Sequence, residues 1–181
     1  MKTSDLIHER SIALADCNNF FVSCERRVDN DLDSRPVVVL SSNDGCVISR
    51  SNEVKKMGVK MGDPYFKIRN MLAFNGVAIR STNMSLYQEI SAEIMSRIKL
   101  YTDAVEIYSI DESFFNMGIS NVKDPLSYCR MIKKDIWDKC RIPVSIGIAP
   151  TKTLSKLATE YAKKNDETGG VFWMDRFHVT I

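Results

Sequence analysis

The order of strand-like and helix-like segments is the feature that most constrains how this chain can fold. Two short apolar runs, Ile12–Cys17 and Val144–Ala149, are typical of buried strands. Between them, Asn83–Leu100 carries apolar residues three or four positions apart, which predicts a long helix that buries one face. The residues on that face are Tyr87, Ile90, Ile94 and Ile98.

Two further strand-like runs, AVEIYSI and SFFNM, are joined by Asp111 and Glu112. We therefore expect these two acids in or beside a hairpin turn. Helices are predicted over Tyr128–Lys139 and Thr151–Lys163, and a closing strand at VFW, residues 171–173.

With Val28–Leu72 set aside, the segments follow the order β, α, β, β, α, β, and then a further α and β. This order predicts an α+β fold of the ferredoxin-like, split βαβ type, with an antiparallel sheet and an added helix and strand. The stretch set aside contains its own strand-like runs, PVVVL and CVIS, and a short helix that ends at Gly58. We expect it to form a small domain inserted into the first.

Two local predictions concern helix ends and helix faces. In GDPYFKIRNML, Asp63 is expected to cap a helix that begins at Pro64. In the helix over Thr151–Lys163, the spacing predicts four inward side chains, which are Leu154, Leu157, Ala158 and Tyr161.

The composition excludes several classes of protein. The 25 Lys and Arg residues nearly balance the 23 Asp and Glu residues, so bulk charge indicates no particular partner. The five cysteines form no CxxC pair, and His8 and His178 lie near opposite ends, which disfavours disulfide frameworks, zinc clusters and histidine catalysis. No segment resembles a transmembrane helix or a signal sequence, so we expect a cytoplasmic protein.

Three acidic residues lie at the ends of apolar strands. Asp16 closes the first strand, and Asp111 and Glu112 separate two others. In one interpretation Asp16 caps the next helix and the Asp-Glu pair is an ordinary polar turn. In the other, the carboxylates bind Mg²⁺, which prefers oxygen ligands, and support phosphoryl transfer. Spacing alone leaves both interpretations open.

Five stretches of the sequence, in order, resemble the Y-family translesion DNA polymerases, and most closely their UmuC-like branch. The stretches are DCNNFFVSCE (Asp16–Glu25), Pro36–Lys67, SLYQEIS (Ser85–Ser91), YSIDESF (Tyr108–Phe114) and GIAPTKTLSKLA (Gly147–Ala158). The resemblance implies a catalytic palm formed by residues 1–27 and 73–181, and a fingers domain formed by residues 28–72.

The resemblance also implies a site for two Mg²⁺ ions, for which Mn²⁺ could substitute. Its catalytic and metal-binding acids would be Asp16, Asp111 and Glu112, with the backbone carbonyl of Cys17 as a further ligand. Glu112 would help hold the metal near the primer 3′-hydroxyl, whereas Asp16 and Asp111 would bridge both ions. Many members of the family have aspartate where this chain has Asn18, so the resemblance implies no certain side-chain ligand there.

Further matches concern the incoming nucleotide. Phe21 corresponds to the steric gate, an aromatic ring that lies against the sugar and excludes a ribose 2′-hydroxyl. We expect Phe21 to be exposed and Phe20 to pack inward, and the alternative is that both rings belong to the core. The triphosphate contacts correspond to Asn52, Lys55 and Lys163, and Lys55 offers a point charge where many members have an arginine fork.

Lys152 and Lys156, in TKTLSK, form a local basic patch that could face the phosphate backbone of DNA. For these two lysines, and for Lys55 and Lys163, the alternative is that they only solvate exposed helix faces.

Polymerases of this family continue into thumb and little-finger domains, so we expect a palm-and-fingers fragment with little activity of its own. The complete protein would bind primer-template DNA and deoxynucleoside triphosphates and act in DNA damage tolerance and SOS mutagenesis. Its further partners would be a UmuD-like dimer, a recombinase filament and the sliding clamp. Two other functions stay open: a non-catalytic module that binds nucleotide or a partner, and a palm-fold nucleotide cyclase, which the absence of a Gly-Gly-Asp/Glu-Glu-Phe hairpin disfavours.

Overall fold

The computed structural model describes residues 11–116 and 124–174, and these divide into two compact units. The larger unit contains the described residues up to Asn18 and from Ser91 onward, and the smaller unit is Asn19–Ile90. The sequence places the domain boundaries after residues 27 and 72, and the naming of the domains as palm and fingers stays a prediction. Met117, the expected end of a strand, and both histidines lie outside the described residues.

The helices and strands are numbered in chain order. They are β1 (Ile12–Cys17), α1 (Phe20–Val28), β2 (Val37–Leu40), β3 (Val47–Arg50), α2 (Asn52–Lys56), α3 (Tyr65–Phe74), β4 (Ala78–Ser81), α4 (Met84–Ile98), β5 (Val105–Ile107), β6 (Glu112–Asn116), α5 (Pro125–Cys140), β7 (Val144–Ala149), α6 (Lys152–Lys164) and β8 (Val171–Trp173).

The larger unit is built on a five-stranded sheet with the order β5-β6-β1-β7-β8. All neighbouring strands are antiparallel except β7 and β8, which are parallel and joined through α6. The first four strands have the ferredoxin-like, split βαβ arrangement, and α6 with β8 is the addition. The predicted fold class is confirmed, as are the hairpin of β5 and β6 and the bounds of β1 and β7.

The core of the larger unit lies on the two central strands and the helices that cover them. All six residues of β7 are buried, and so are the residues of β1 that follow Ile12. The predicted face of α4 is confirmed, because Tyr87 and Ile90, which belong to the smaller unit, and Ile94 and Ile98, which belong to the larger, are all buried. The apolar runs therefore form strands because both of their faces are covered.

Helix α6 lies unusually close to the sheet, and this overturns part of the prediction for its inward face. Leu157 is 55% exposed and Tyr161 is 41% exposed. The fully buried face is instead made of small residues, which are Ser155, Ala158, Thr159 and Ala162. Because β7 has a glycine, Gly147, under this face, only small side chains fit between the strand and the helix.

The smaller unit has a three-stranded sheet with the order β3-β2-β4, in which β2 is antiparallel to β3 and parallel to β4. Its apolar core includes Val38, Val54 and Leu72. The expectation that Asp63 caps α3 is wrong, since Pro64 occupies the cap position. The Asp63 carboxylate instead accepts a hydrogen bond from the Lys60 amide at 2.7 Å, which closes the preceding turn.

Within the described ranges, no helix is both long enough and apolar enough to cross a membrane.

The closeness of α6 and β7 makes Gly147 intolerant of any side chain. A Cβ atom there would lie 2.2 Å from the Thr159 amide nitrogen and 2.5 Å from the Ser155 carbonyl oxygen. We expect Gly147→Ala to lower the free energy of unfolding by about 3 kcal/mol or more, because the helix must move off the sheet.

A matched control is Gly169→Ala in the same unit. Gly169 has a φ of +61° but nothing within 4 Å of an added Cβ, so only backbone strain of about 1–2 kcal/mol applies. Urea unfolding followed by circular dichroism measures both variants. Equal losses of stability would show that the helix can adapt to an added methyl group.

Candidate active site

Three acidic residues meet at one end of the β1–β6 pair. Asp16, near the end of β1, lies directly opposite Glu112, the first residue of β6. The backbone amide of Cys17 donates a hydrogen bond to the Asp111 carbonyl oxygen at 2.9 Å. Antiparallel pairing thus brings together acids that are about a hundred positions apart in sequence.

The loop that carries Asp111 is held in shape by two serines. The Ser109 hydroxyl donates to Asp111 Oδ1 at 2.7 Å and accepts from the Glu112 amide at 3.0 Å. The Ser91 hydroxyl donates to the Ile110 carbonyl oxygen at 2.5 Å. These hydrogen bonds from neutral donors hold the Asp111 side chain, the Glu112 amide and the Ile110 carbonyl in place.

Asp16 is the most buried of the three acids and has a lysine as its partner. Lys163 Nζ lies 2.6 Å from Asp16 Oδ2, and only 12% of the aspartate side chain is exposed. Burial raises the pKa of Asp16 to about 6, the positive charge of Lys163 opposes this rise, and the negative charges of Asp111 and Glu112 add to it. The site therefore concentrates negative charge where solvent screens it poorly.

Glu112 has a lysine partner as well. Lys156 Nζ lies 3.1 Å from Glu112 Oε2 and 3.9 Å from the centre of the Tyr108 ring. Lys152, the other residue of the predicted basic patch, pairs with the Glu106 carboxylate. Both lysines predicted to bind DNA thus contact acidic groups of their own chain.

Small polar side chains of α6 bond the helix to β1, and this fixes where the lysines of the helix lie. The Ser155 hydroxyl donates to the Ile12 carbonyl oxygen at 2.7 Å, and the Thr159 hydroxyl donates to the Leu14 carbonyl oxygen at 3.2 Å. These bonds tie the helix to β1. Lys156 and Lys163, two helical turns apart, reach from α6 to the two acids.

Cys17, the remaining predicted ligand, and Asn18, where no side-chain ligand was assigned, follow Asp16 in the chain. Cys17 is buried, and the Asn18 side-chain oxygen accepts a hydrogen bond from the Ser145 hydroxyl at 3.1 Å. Among residues 11–116 and 124–174, no three acidic, cysteine or histidine side chains form a ready-made metal cluster. Asp16 and Glu112 are held as ion pairs with Lys163 and Lys156, whereas Asp111 is hydrogen-bonded to Ser109.

Phe21 belongs to the smaller unit, where its ring stacks on Tyr87. The ring centres are 4.6 Å apart and the planes differ by 22°. Phe21 is half-buried, whereas Phe20 is 4% exposed and packs inward as expected. The role of Phe21 as a steric gate stays a prediction.

Tyr87 is itself held by a buried acid. Its hydroxyl donates to Glu25 Oε1 at 2.7 Å, and Arg80 Nε lies 4.0 Å from the other oxygen of the same carboxylate. The periodicity of α4 identifies Tyr87 only as a buried position. Its contact with Phe21 could not be predicted from the helix pattern, although both residues lie in quoted motifs.

The two predicted triphosphate contacts in the smaller unit lie on α2. Asn52 begins this helix, and its side-chain oxygen accepts a hydrogen bond from Asn19 at 3.0 Å. Lys55 lies one turn later with an exposed side chain. Their role in binding nucleotide stays a prediction.

Comparison with known proteins gives consistent matches. The family model described as impB/mucB/samB matches residues 15–160. The UmuC protein of Salmonella typhimurium is 44% identical over 161 residues, which are 88% of this chain and 38% of that protein. The chain thus spans well under half of this curated relative.

Solved structures show the same fold. DinB from Sulfolobus solfataricus superposes with a TM-score of 0.82 at 26% identity, over 93% of this chain and 49% of that one. An insertion ternary complex of Dbh DNA polymerase also gives a TM-score of 0.82, at 25% identity, over 93% of this chain and 50% of that one.

The bond between Tyr87 and Glu25 should matter for stability. Tyr87→Phe keeps the ring stacked on Phe21 but leaves a buried carboxylate without its closest donor. We expect a loss of about 1–3 kcal/mol in the free energy of unfolding, measured by chemical denaturation.

The control for this change is Tyr65→Phe in the same unit. The Tyr65 hydroxyl makes no hydrogen bond within the described part of the chain, so its removal should be nearly neutral. A Tyr87→Phe variant as stable as Tyr65→Phe would mean that Arg80 alone satisfies Glu25.

Proposed function

Since the chain belongs to the impB/mucB/samB family, we propose that the full-length protein is a template-directed DNA polymerase of the Y-family, translesion class. The observation that carries this proposal is the meeting of Asp16, Asp111 and Glu112 at one end of the β1–β6 pair. Similar folds, including a Dbh DNA polymerase, support it. The chain would be the catalytic portion of a nucleotidyltransferase.

The donor set fits hard divalent cations. Three carboxylates and the Cys17 carbonyl offer only oxygen ligands, which suit Mg²⁺ and also Mn²⁺. Asp16, Asp111 and Glu112, with the Cys17 carbonyl, would hold the two ions, and Glu112 would help to hold the metal that activates the primer 3′-hydroxyl. When bound, the two ions would neutralise the developing charge of an in-line phosphoryl transfer.

The side chains of the protein would position the reactants. The primer 3′-hydroxyl would attack the α-phosphate of the incoming nucleotide and displace pyrophosphate, so no side-chain nucleophile is needed. Lys163, Lys55 and Asn52 would hold the triphosphate, and the Phe21 ring would lie against the sugar. Lys152 and Lys156 would face the DNA backbone after leaving their present carboxylate partners.

The wider role follows from the family. The full-length protein would extend primers on damaged templates in DNA damage tolerance and SOS mutagenesis, in the cytoplasm. A UmuD-like dimer, a recombinase filament and the sliding clamp are its proposed partners. Residues beyond this chain would supply most of those contacts.

The first test is single-nucleotide incorporation by the full-length protein opposite an abasic site. We expect Asp111→Ala to lower the rate by at least about a hundredfold, because a charge-stabilising group is lost at the transferring phosphate. Asp103→Ala, which removes an exposed acid from the same unit, should retain activity.

Two results would contradict the proposal in different ways. Absence of incorporation by the unaltered protein would favour a non-catalytic module that binds nucleotide or a partner. Equal activity of Asp111→Ala and Asp103→Ala would remove Asp111 from the catalytic site.

The second test concerns the sugar of the incoming nucleotide. Phe21→Ala in the full-length protein should reduce discrimination against ribonucleotides by about tenfold or more, because the bulk that excludes the 2′-hydroxyl is gone. The measurement is the ratio of kcat/KM for dCTP and CTP. Phe21→Tyr keeps the ring and should keep the discrimination, and an unchanged ratio in Phe21→Ala would remove the gate assignment.

A further inference from the structure

The ion pairs of α6 indicate how nucleotide and metal binding are linked. Lys163 and Lys156 each contact one of the acids assigned to the metal site, at 2.6 Å and 3.1 Å. Asp111, the third acid, has a neutral donor in Ser109 instead. Asp16 and Glu112 thus already have cationic partners.

Both lysines are delivered by a rigid element. Helix α6 is hydrogen-bonded to the β1 backbone through Ser155 and Thr159 and packs directly on Gly147, contacts that a shift of the whole helix would break. The long lysine side chains can move, however, because 27% of Lys163 and 40% of Lys156 are exposed. Each lysine can therefore exchange its carboxylate for another anion by rotation about the bonds of its flexible side chain.

We propose, on the basis of the proposed polymerase function, that Lys163 is an exchangeable counter-ion that couples metal binding to nucleotide binding. In the metal-free protein it neutralises Asp16. When a metal–nucleotide complex binds, the Asp16 carboxylate binds the cation and the Lys163 ammonium group binds the triphosphate.

The coupling follows from the charges of the pair. A metal ion that arrives alone must displace the Lys163 ammonium from its carboxylate, and a nucleotide that arrives alone must leave Asp16 without a partner in a largely buried position. Only the two ligands together satisfy every charge. Lys156 likewise competes with a metal ion for Glu112, although its new partner would be the DNA backbone and not the triphosphate. The effect is smaller because this pair is more exposed.

The test is Mn²⁺ binding by the full-length protein without DNA, followed by the electron paramagnetic resonance signal of free Mn²⁺, with and without dTTP. Without nucleotide, Lys163→Met should bind Mn²⁺ about tenfold more tightly than the unaltered protein, because a competing positive charge is removed. The gain in Mn²⁺ affinity that dTTP provides should be smaller in Lys163→Met than in the unaltered protein.

The matched control is Lys164→Met. The Lys164 side chain is 71% exposed and pairs with Glu160 one turn away, so its loss should leave Mn²⁺ affinity unchanged. Lys163→Arg keeps the positive charge and should keep the weak Mn²⁺ binding. If Lys163→Met does not fold, Lys156→Met measured without nucleotide tests the competing positive charge at Glu112, with a smaller gain in affinity.

The outcomes separate this proposal from the proposed function. Equal Mn²⁺ affinities for Lys163→Met and Lys164→Met would overturn the counter-ion role while leaving the polymerase proposal intact. If Lys156→Met is used in place of Lys163→Met, an Mn²⁺ affinity equal to that of the unaltered protein would have the same meaning. Asp111→Asn should weaken Mn²⁺ binding. If it does not, or if no variant binds Mn²⁺, the metal site itself is wrong and both proposals fall.

Discussion

The close contact of α6 with strands β1 and β7 is the constraint on which the larger unit depends. Gly147 lets the helix backbone approach the strand, and the Ser155 and Thr159 hydroxyls bond to β1 carbonyl oxygens. An ordinary apolar helix face would hold the helix farther from the sheet. The approach brings lysines of the helix to acids at the strand ends, so packing and electrostatics of the candidate site have one origin.

Asp16 and Glu25, both buried in the part of the chain that the structure describes, are stabilised in different ways. Glu25 has a fixed donor, since the Tyr87 hydroxyl belongs to a fully buried ring. Asp16 has the mobile ammonium group of Lys163. A buried carboxylate needs a partner in either case. A neutral donor from the core suits an acid that keeps its partner, whereas a flexible cation suits an acid whose partner must change.

Much of the fold was predictable because the apolar residues that the sequence pattern assigns to the interior are the ones that are buried in the structure. The apolar runs of β1 and β7 and the spaced apolar face of α4 each indicate one structure. Leu157 and Tyr161 were predicted wrongly because periodicity assigns large apolar residues to the inside, whereas the glycine in β7 leaves room only for small ones. The acids could be grouped from motif resemblance, but the pairs Tyr87–Glu25 and Lys163–Asp16 join distant segments. No local pattern contains such contacts.

The choice between arginine and lysine follows the same division between fixed and exchangeable pairs. Arg97 holds Asp135 with several hydrogen bonds, including one of 2.9 Å from Nε and one of 2.6 Å from Nη2, and thereby joins α4 to α5. A planar fork of this kind holds its anion at two points in a defined orientation. Lysine is a point charge on a flexible stem, which can contact a carboxylate or a phosphate equally well. Lysine partners at both Asp16 and Glu112 are therefore suited to ion pairs in which the lysine exchanges one anion for another.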